Sequence, residues 1–182
     1  SLGLVGSEMC IRDRLNMGDM RMQPLWSGFS IPIQEHPSYL TAELADACQA
    51  FAALAQSVGH VGLLNCDSVV TATGEIYFTE INGRAGGCTH IDVAARRLLG
   101  EDYARNHVLL TQNSLPIESL STALGKLSQA GLAYDKTSQE GVILLEHHAN
   151  RGTCEYMVVG DDGQSASRIE EQAWKTLGWR TS

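Results

Sequence analysis

Residues 59–84 read GHVGLLNCDSVVTATGEIYFTEINGR, and the order in which residue types arrive there decides what kind of chain this is. Two β-rich runs, VGLLNCDSVVTA and EIYFTEIN, flank Thr73-Gly74. That is the composition of a tight hairpin whose glycine supplies the positive φ of the turn. With Thr73 and Gly74 as the two central turn residues, Ala72 pairs with Glu75, Val70 opposes Tyr77, and Asp67 opposes Glu80. Directly opposed residues share a face with Cβ atoms roughly 4.5–5.5 Å apart. Two carboxylates at about 5 Å repel by roughly 3 kcal/mol at an effective dielectric near 20. A hairpin built only for folding has no use for such a pair.

A hard divalent cation removes the repulsion, because Mg²⁺ prefers carboxylate and carbonyl oxygens completed by water and phosphate. Asn82 lies two residues beyond Glu80, so the strand period brings its amide oxygen to the same face. Arg84 is next on that parity and is placed to meet developing negative charge rather than the metal. Gly86 and Gly87 let the backbone come close to a ligand, and THIDVAARR behind them offers a helix N-terminus that favours an anion. The constellation suggests phosphate chemistry assisted by a metal. The competing reading makes each acid a solvated face residue and GRAGG an ordinary loop. Leu63, Val69, Ile76, Phe78 and Ile81 surround the acids, so both faces of the hairpin read as buried, which favours the metal site.

Outward from the hairpin, Leu40, Leu44, Cys48, Phe51, Leu54, Ala55 and Val58 recur at helical spacing in SYLTAELADACQAFAALAQSVG, with Ser38 as N-cap and Gly59 past the end. Upstream, MQPLWSGFSIP reads as a Pro- and Gly-punctuated connector. Downstream, THIDVAARRLLG reads as a short helix closed by Gly100, and HVLLTQNSLP as a strand running into a loop. A helix near PIESLSTALGKLSQAG follows, with Ile117, Leu120, Leu124 and Leu127 on one face. Strands GVILLEHH and CEYMVVG come next, turning at Asn150-Arg151-Gly152, and SASRIEEQAWKTLG closes the chain as a helix. The fold class is α/β in the α+β sense, with antiparallel sheet. A boundary near residue 112 separates residues 15–111 from a small α-β-β-α unit at 112–182 that could stand as a sandwich of its own.

The bulk numbers narrow the partners. The 182 residues carry a net charge of −8 with 13 basic residues, which leaves no electrostatic footprint for nucleic acid or an anionic membrane. No apolar run approaches the roughly 18 residues of a membrane span. Cys10, Cys48, Cys66, Cys88 and Cys154 are odd in number and lack a C-x-x-C pair, so they read as reduced thiols in a cytoplasm rather than a disulfide framework. Cys66 and Cys88 read as small buried hydrophobes, and Arg96 and Arg97 as a solvated helix face. His147-His148 and His90 near Cys88 have poor spacing for zinc. The chain opens at Ser1, and SLGLVGSEMCIRDR resembles a conceptual translation of sequencing-adapter DNA. Residues 1–14 are therefore expected to be non-native, with the gene extending upstream.

The stretch from Gly59 to Arg84 resembles the end of the catalytic core of the ATP-grasp superfamily, which carries an acid on one strand, a hairpin, and an E-x-N pair. The resemblance implies that Asp67, Glu80 and Asn82 hold Mg²⁺, or Mn²⁺, against the phosphates of ATP. It implies that Arg84 stabilises the reacting phosphoryl or acyl-phosphate group, with Gly86 and Gly87 on the phosphate side. The run EINGRAGGCTHI with the α-β-β-α tail is similar to peptide ligases of the pheganomycin type. The implied activity joins a small-molecule carboxylate to an amine or peptide through an acyl phosphate. Two alternatives stand beside it: a non-catalytic module binding metal or nucleotide, and a ligase for a non-peptide acid. One departure matters. No lysine precedes Lys126, whereas ATP-grasp enzymes bring phosphate-binding lysines and a glycine-rich lid from upstream of the hairpin. The chain is thus expected to be the C-terminal part of a longer ligase with little or no turnover by itself. ATP consumption by the purified 182-residue chain that disappears in Glu80→Ala would contradict this expectation.

Overall fold

The computed structural model describes residues 12–16, 25–32, 38–71 and 73–179. The chain divides into two compact units, one running from Glu35 to Ala94 and the other combining Ile11–Gln34 with Ala95–Ser182; Ser1–Cys10, grouped with the former, lies outside the described residues. Residue 112, where the sequence suggested a boundary, lies inside a strand of the second unit.

The first unit is built on helix α1 (Ser38–Ser57) and the hairpin of β3 (Asn65–Val70) and β4 (Ile76–Asn82), followed by the first part of α2 (Thr89–Leu99). Helix α1 ends as its sequence predicts, with Gly59 at φ +91 just beyond it. Its apolar stripe is buried only in part. Ala52 is buried and Phe51 half-buried, whereas Leu54 and Val58 are exposed. Phe51 meets Phe78 of β4 edge to face, with ring centroids 4.7 Å apart.

The second unit is a five-stranded antiparallel sheet in the order β1-β2-β5-β7-β6. Its strands are β1 (Arg12–Asn16), β2 (Leu25–Ile31), β5 (Val108–Pro116), β6 (Gly141–His148) and β7 (Thr153–Gly160). The remainder of α2, the short α3 (Tyr103–Asn106), α4 (Leu120–Gln129) and α5 (Gly163–Leu177) complete it. The expected α-β-β-α order is present, but it is not a separate sandwich, because β7 pairs with β5 as well as β6. The supposed connector MQPLWSGFSIP contains β2. Gly28 looked like a breaker; in the sheet it is required, since a Cβ there would fall 2.1 Å from the Thr111 carbonyl oxygen. Residues 12–14 of the segment expected to be non-native pair with β2 as part of β1, and residues 1–11 lie outside the described residues.

Leu115, Leu127, Tyr156, Val158 and Ala166 lie at the centre of this unit's apolar core. Helix α4 buries Ala123 and Leu127, while Leu120 and Leu124 remain exposed, so its inward face is offset from the one the spacing suggested. The reason is where the helix starts. Ser119 is the N-cap, its side chain accepting from the Thr122 amide at 3.1 Å, and Ile117 lies before the helix. A polar chain threads the core: Tyr156 Oη donates to Glu170 Oε1 at 2.7 Å and accepts from Trp174 Nε1 at 2.6 Å. Among the described residues, no helix is long and apolar enough to cross a membrane.

Tyr156→Phe removes a donor to the buried Glu170 carboxylate together with the acceptor for Trp174, and should cost about 1–3 kcal/mol in chemical denaturation. Burial also pushes the Cys154 thiol up to about 11, so it stays protonated near neutrality. The unfolded chain loses this proton first, so stability should decline between about pH 9 and 11 and not below. Cys154→Ser should flatten that slope in a pH series of unfolding midpoints.

Candidate active site

Hairpin β3–β4 brings Asp67 opposite Glu80, as the sequence reading required, but by a different route. The turn is one residue longer than a two-residue hairpin. Thr71 N–H donates to Glu75 O, and Gly74 N–H donates to Thr71 O, each at 3.0 Å, with Gly74 at φ +89. Pairing near the turn is therefore shifted by one: Val70 faces Ile76 and Val69 faces Tyr77, not Val70 with Tyr77. The register is regained at a bulge between Asp67 and Ser68, where Thr79 is the extra residue on β4. Its hydroxyl donates to the Asp67 carbonyl at 3.2 Å.

The bulge also sorts the side chains. Phe78 and Glu80 are two residues apart, so an unbroken strand would place both on one face. With Thr79 inserted, Phe78 turns to Phe51 of α1 while Glu80 joins Asp67, Asn82 and Asn65 on the other face. That second face is open rather than buried: Asp67 and Glu80 are exposed, as are Val69 and Tyr77. Leu63 and Ile81 are exposed as well, so the expectation that both faces are buried does not hold. Water around the acids lowers their mutual repulsion to under about 1 kcal/mol at 5 Å.

Cys66, between Asn65 and Asp67, points the other way, toward Cys48 of α1. Burial pushes the Cys66 thiol up, and the neighbouring Asp67 charge adds to this. Such a thiol is a packing group rather than a nucleophile.

Arg84, just past β4, is exposed and donates from Nη1 to its neighbour's carbonyl, Ala85 O, at 3.1 Å. Among the described residues no carboxylate pairs with it. Gly86 N–H is taken by Thr89 Oγ1 at 2.9 Å, and a Cβ on Gly86 would lie 3.0 Å from Asn65 Oδ1. The Asn65 side chain thus lies against Gly86; Gly87 is exposed. His60 packs on Gly83 in the same manner, its Cε1 3.0 Å from where a Cβ would be, and its Nε2 donates to Leu63 O at 3.2 Å. Asn65, Thr79 and His60 were not singled out from sequence. Asn65 had a signal, since it precedes Asp67 by one strand period.

The donor set fits a hard divalent cation. Two in-register carboxylates stand on one face with an amide beside them, and among the described residues no lysine, arginine or histidine pairs with either acid. Oxygen-only donation of this kind suits Mg²⁺ or Mn²⁺ with remaining positions left to water and phosphate. A cage of protein ligands alone is not offered: among the described residues no three His, Cys, Asp or Glu side chains gather to hold a metal. His148 instead lies 3.7 Å from Glu146, and Arg96 pairs with Glu101.

Comparison with known proteins bears on the fold. A family model described as the PGM1 C-terminal domain matches residues 122–173, from α4 into α5. No match was found among curated proteins. Among solved structures, the ADP complex of purK, N5-carboxyaminoimidazole ribonucleotide synthetase, is similar with a TM-score of 0.51 at 17% identity, over 85% of this chain and 42% of that one. The N5-carboxyaminoimidazole ribonucleotide synthetase from Thermotoga maritima gives a TM-score of 0.52 at 16% identity, over 93% of this chain and 50% of that one. The chain thus spans half or less of the length of these structures. At such identity the likeness is one of fold: the expected mixed α/β chain with antiparallel sheets is shared with part of each of these synthetases.

Proposed function

We propose that the chain is the metal-binding end of an ATP-dependent carboxylate–amine ligase of the peptide-forming kind, working in the cytoplasm through an acyl phosphate. The observation that carries this reading is the in-register opposition of Asp67 and Glu80, with Asn82 on their face. Its support from comparison is the fold shared with two synthetases, one of them an ADP complex.

In this reading Asp67, Glu80 and Asn82 hold Mg²⁺ or Mn²⁺ by oxygen. The chemistry a bound cation supplies is neutralisation of phosphate charge during transfer of the γ-phosphoryl group to a carboxylate. Arg84, whose guanidinium pairs with no carboxylate among the described residues, meets the charge that develops on the phosphoryl oxygens or the acyl phosphate. Gly87, exposed in the loop, leaves room for the phosphate side of the nucleotide, with Gly86 setting the loop's path. No covalent nucleophile from the protein is needed, which agrees with the packing role of Cys66.

Glu80→Gln tests the clamp in both directions. Without metal it relieves repulsion and should raise stability by up to about 1 kcal/mol. With Mg²⁺ or Mn²⁺ at about a hundred times its dissociation constant, the wild type should gain about 2.7 kcal/mol and the variant little. A wild-type chain whose unfolding ignores both cations, with and without ADP, rejects the clamp. Turnover is read on the longest reading frame containing this chain, by mass spectrometry of products from a panel of amino acids and peptides. Mg²⁺-dependent nucleotide binding without phosphate release would identify a non-catalytic module, and a product from a non-peptide acid would move the assignment within the ligases.

A further inference from the structure

Asn65 is held from two sides. Its Nδ2 donates to Asp67 Oδ1 at 2.8 Å, and because a carboxylate only accepts, this fixes which end of the amide is nitrogen. The other end, Oδ1, lies 3.9 Å from the Cys88 thiol, which donates to it. The same oxygen is 3.0 Å from the position a Cβ would take on Gly86, with Asn65 Cγ at 3.1 Å, so the backbone of the glycine loop rests directly on this amide. Across the hairpin Asn65 is paired with Asn82. One half-buried side chain therefore touches the first acid of the clamp, stands opposite its amide, and supports two positions of the loop.

The chemistry asks for asparagine. Aspartate could accept from Cys88 but could not donate to Asp67, and it would add a third negative charge beside the opposed acids. Alanine would satisfy neither neighbour. We propose that Asn65 is a positioning residue that couples the Asp67 carboxylate to the loop Gly86–Cys88, so that divalent cation binding and ordering of the loop are one event. The coupling rests on the metal-clamp reading above, and it adds a residue that is neither ligand nor catalyst.

The test uses the full chain, with Mn²⁺ as the probe. Mn²⁺ affinity is read by electron paramagnetic resonance, and the loop by peptide-resolved alkylation of Cys88 and amide exchange at Gly86–Cys88. In metal-free buffer Asn65→Ala should speed Cys88 alkylation and loop exchange by roughly two- to tenfold. It should also weaken Mn²⁺ binding by about tenfold, the usual loss when a hydrogen-bond partner of a metal ligand is removed. Saturating Mn²⁺ should slow Cys88 alkylation in the wild type and leave it unchanged in Asn65→Ala. Gly86→Ala provides an approach from the loop side: its Cβ displaces the Asn65 amide and should weaken Mn²⁺ binding several-fold without touching a ligand, a result that stands even if Asn65→Ala fails to fold.

Loop exchange and Cys88 reactivity that ignore both substitutions, or an Mn²⁺ response that survives in Asn65→Ala, would overturn the coupling. A wild type that binds no Mn²⁺ rejects the clamp and the coupling together. That case is told apart from failure of the coupling alone, in which wild-type Mn²⁺ binding is intact and Asn65→Ala leaves it so.

Discussion

Two carboxylates placed opposite each other on adjacent strands constrain everything around them. Asp67 and Glu80 repel only weakly in their exposed setting, so their opposition is imposed by backbone pairing and tolerated because water screens the two charges. The imposition comes from the Thr79 bulge, which turns Phe78 and Glu80 to different faces although a regular strand would align them. The aromatic contact with Phe51 then anchors one face of the hairpin on α1 and leaves the other open for the acids. Packing and chemistry are separated by a single inserted residue.

The loop beyond the hairpin is tied to the same constraint. A Cβ on Gly83 or Gly86 would come within 3.0 Å of the His60 ring or the Asn65 amide, so both side chains lie close against the loop backbone. Thr89 reaches back from the start of α2 to hold the Gly86 amide. The stretch that looks loose in sequence runs from the acid-bearing face to a helix and is held at Gly86 by Asn65 and Thr89, and its exposed arginine pairs with no acid among the described residues.

The second unit solves a different problem, burial of a continuous apolar core under a sheet. Its central strand β5 pairs with β7 on one side and β2 on the other. A small domain limited to α4, β6, β7 and α5 would leave β7 with one exposed edge, which is a liability for a strand this apolar. Recruiting β5 and β2 covers that edge. The polar chain through Tyr156, Glu170 and Trp174 then fixes how α5 lies on β7.

Local rules were sufficient for much of this. Periodicity located α1, α2, both tail strands and the closing helix, and glycines marked the ends of α1 and α2, because these depend on spacing within a few residues. The opposition of Asp67 and Glu80, and the residue types that fit a divalent cation, were likewise legible from turn chemistry and strand period. Yet that opposition was deduced from a two-residue turn, whereas a longer turn and a bulge shift the register in opposite senses and cancel at the acids. Strand β2 was hidden because Gly28 answers to the Thr111 carbonyl on β5, more than eighty residues away. Asn65 as a bridge between acid and loop was hidden for the same reason: its partners at Gly86 and Cys88 are neighbours only once the hairpin has formed. Sequence by itself determined which chemistry the chain can support, since that depends on residue type and short-range spacing. Tertiary structure alone decided which face carries it and what holds it in place, because both depend on contacts between residues distant along the chain.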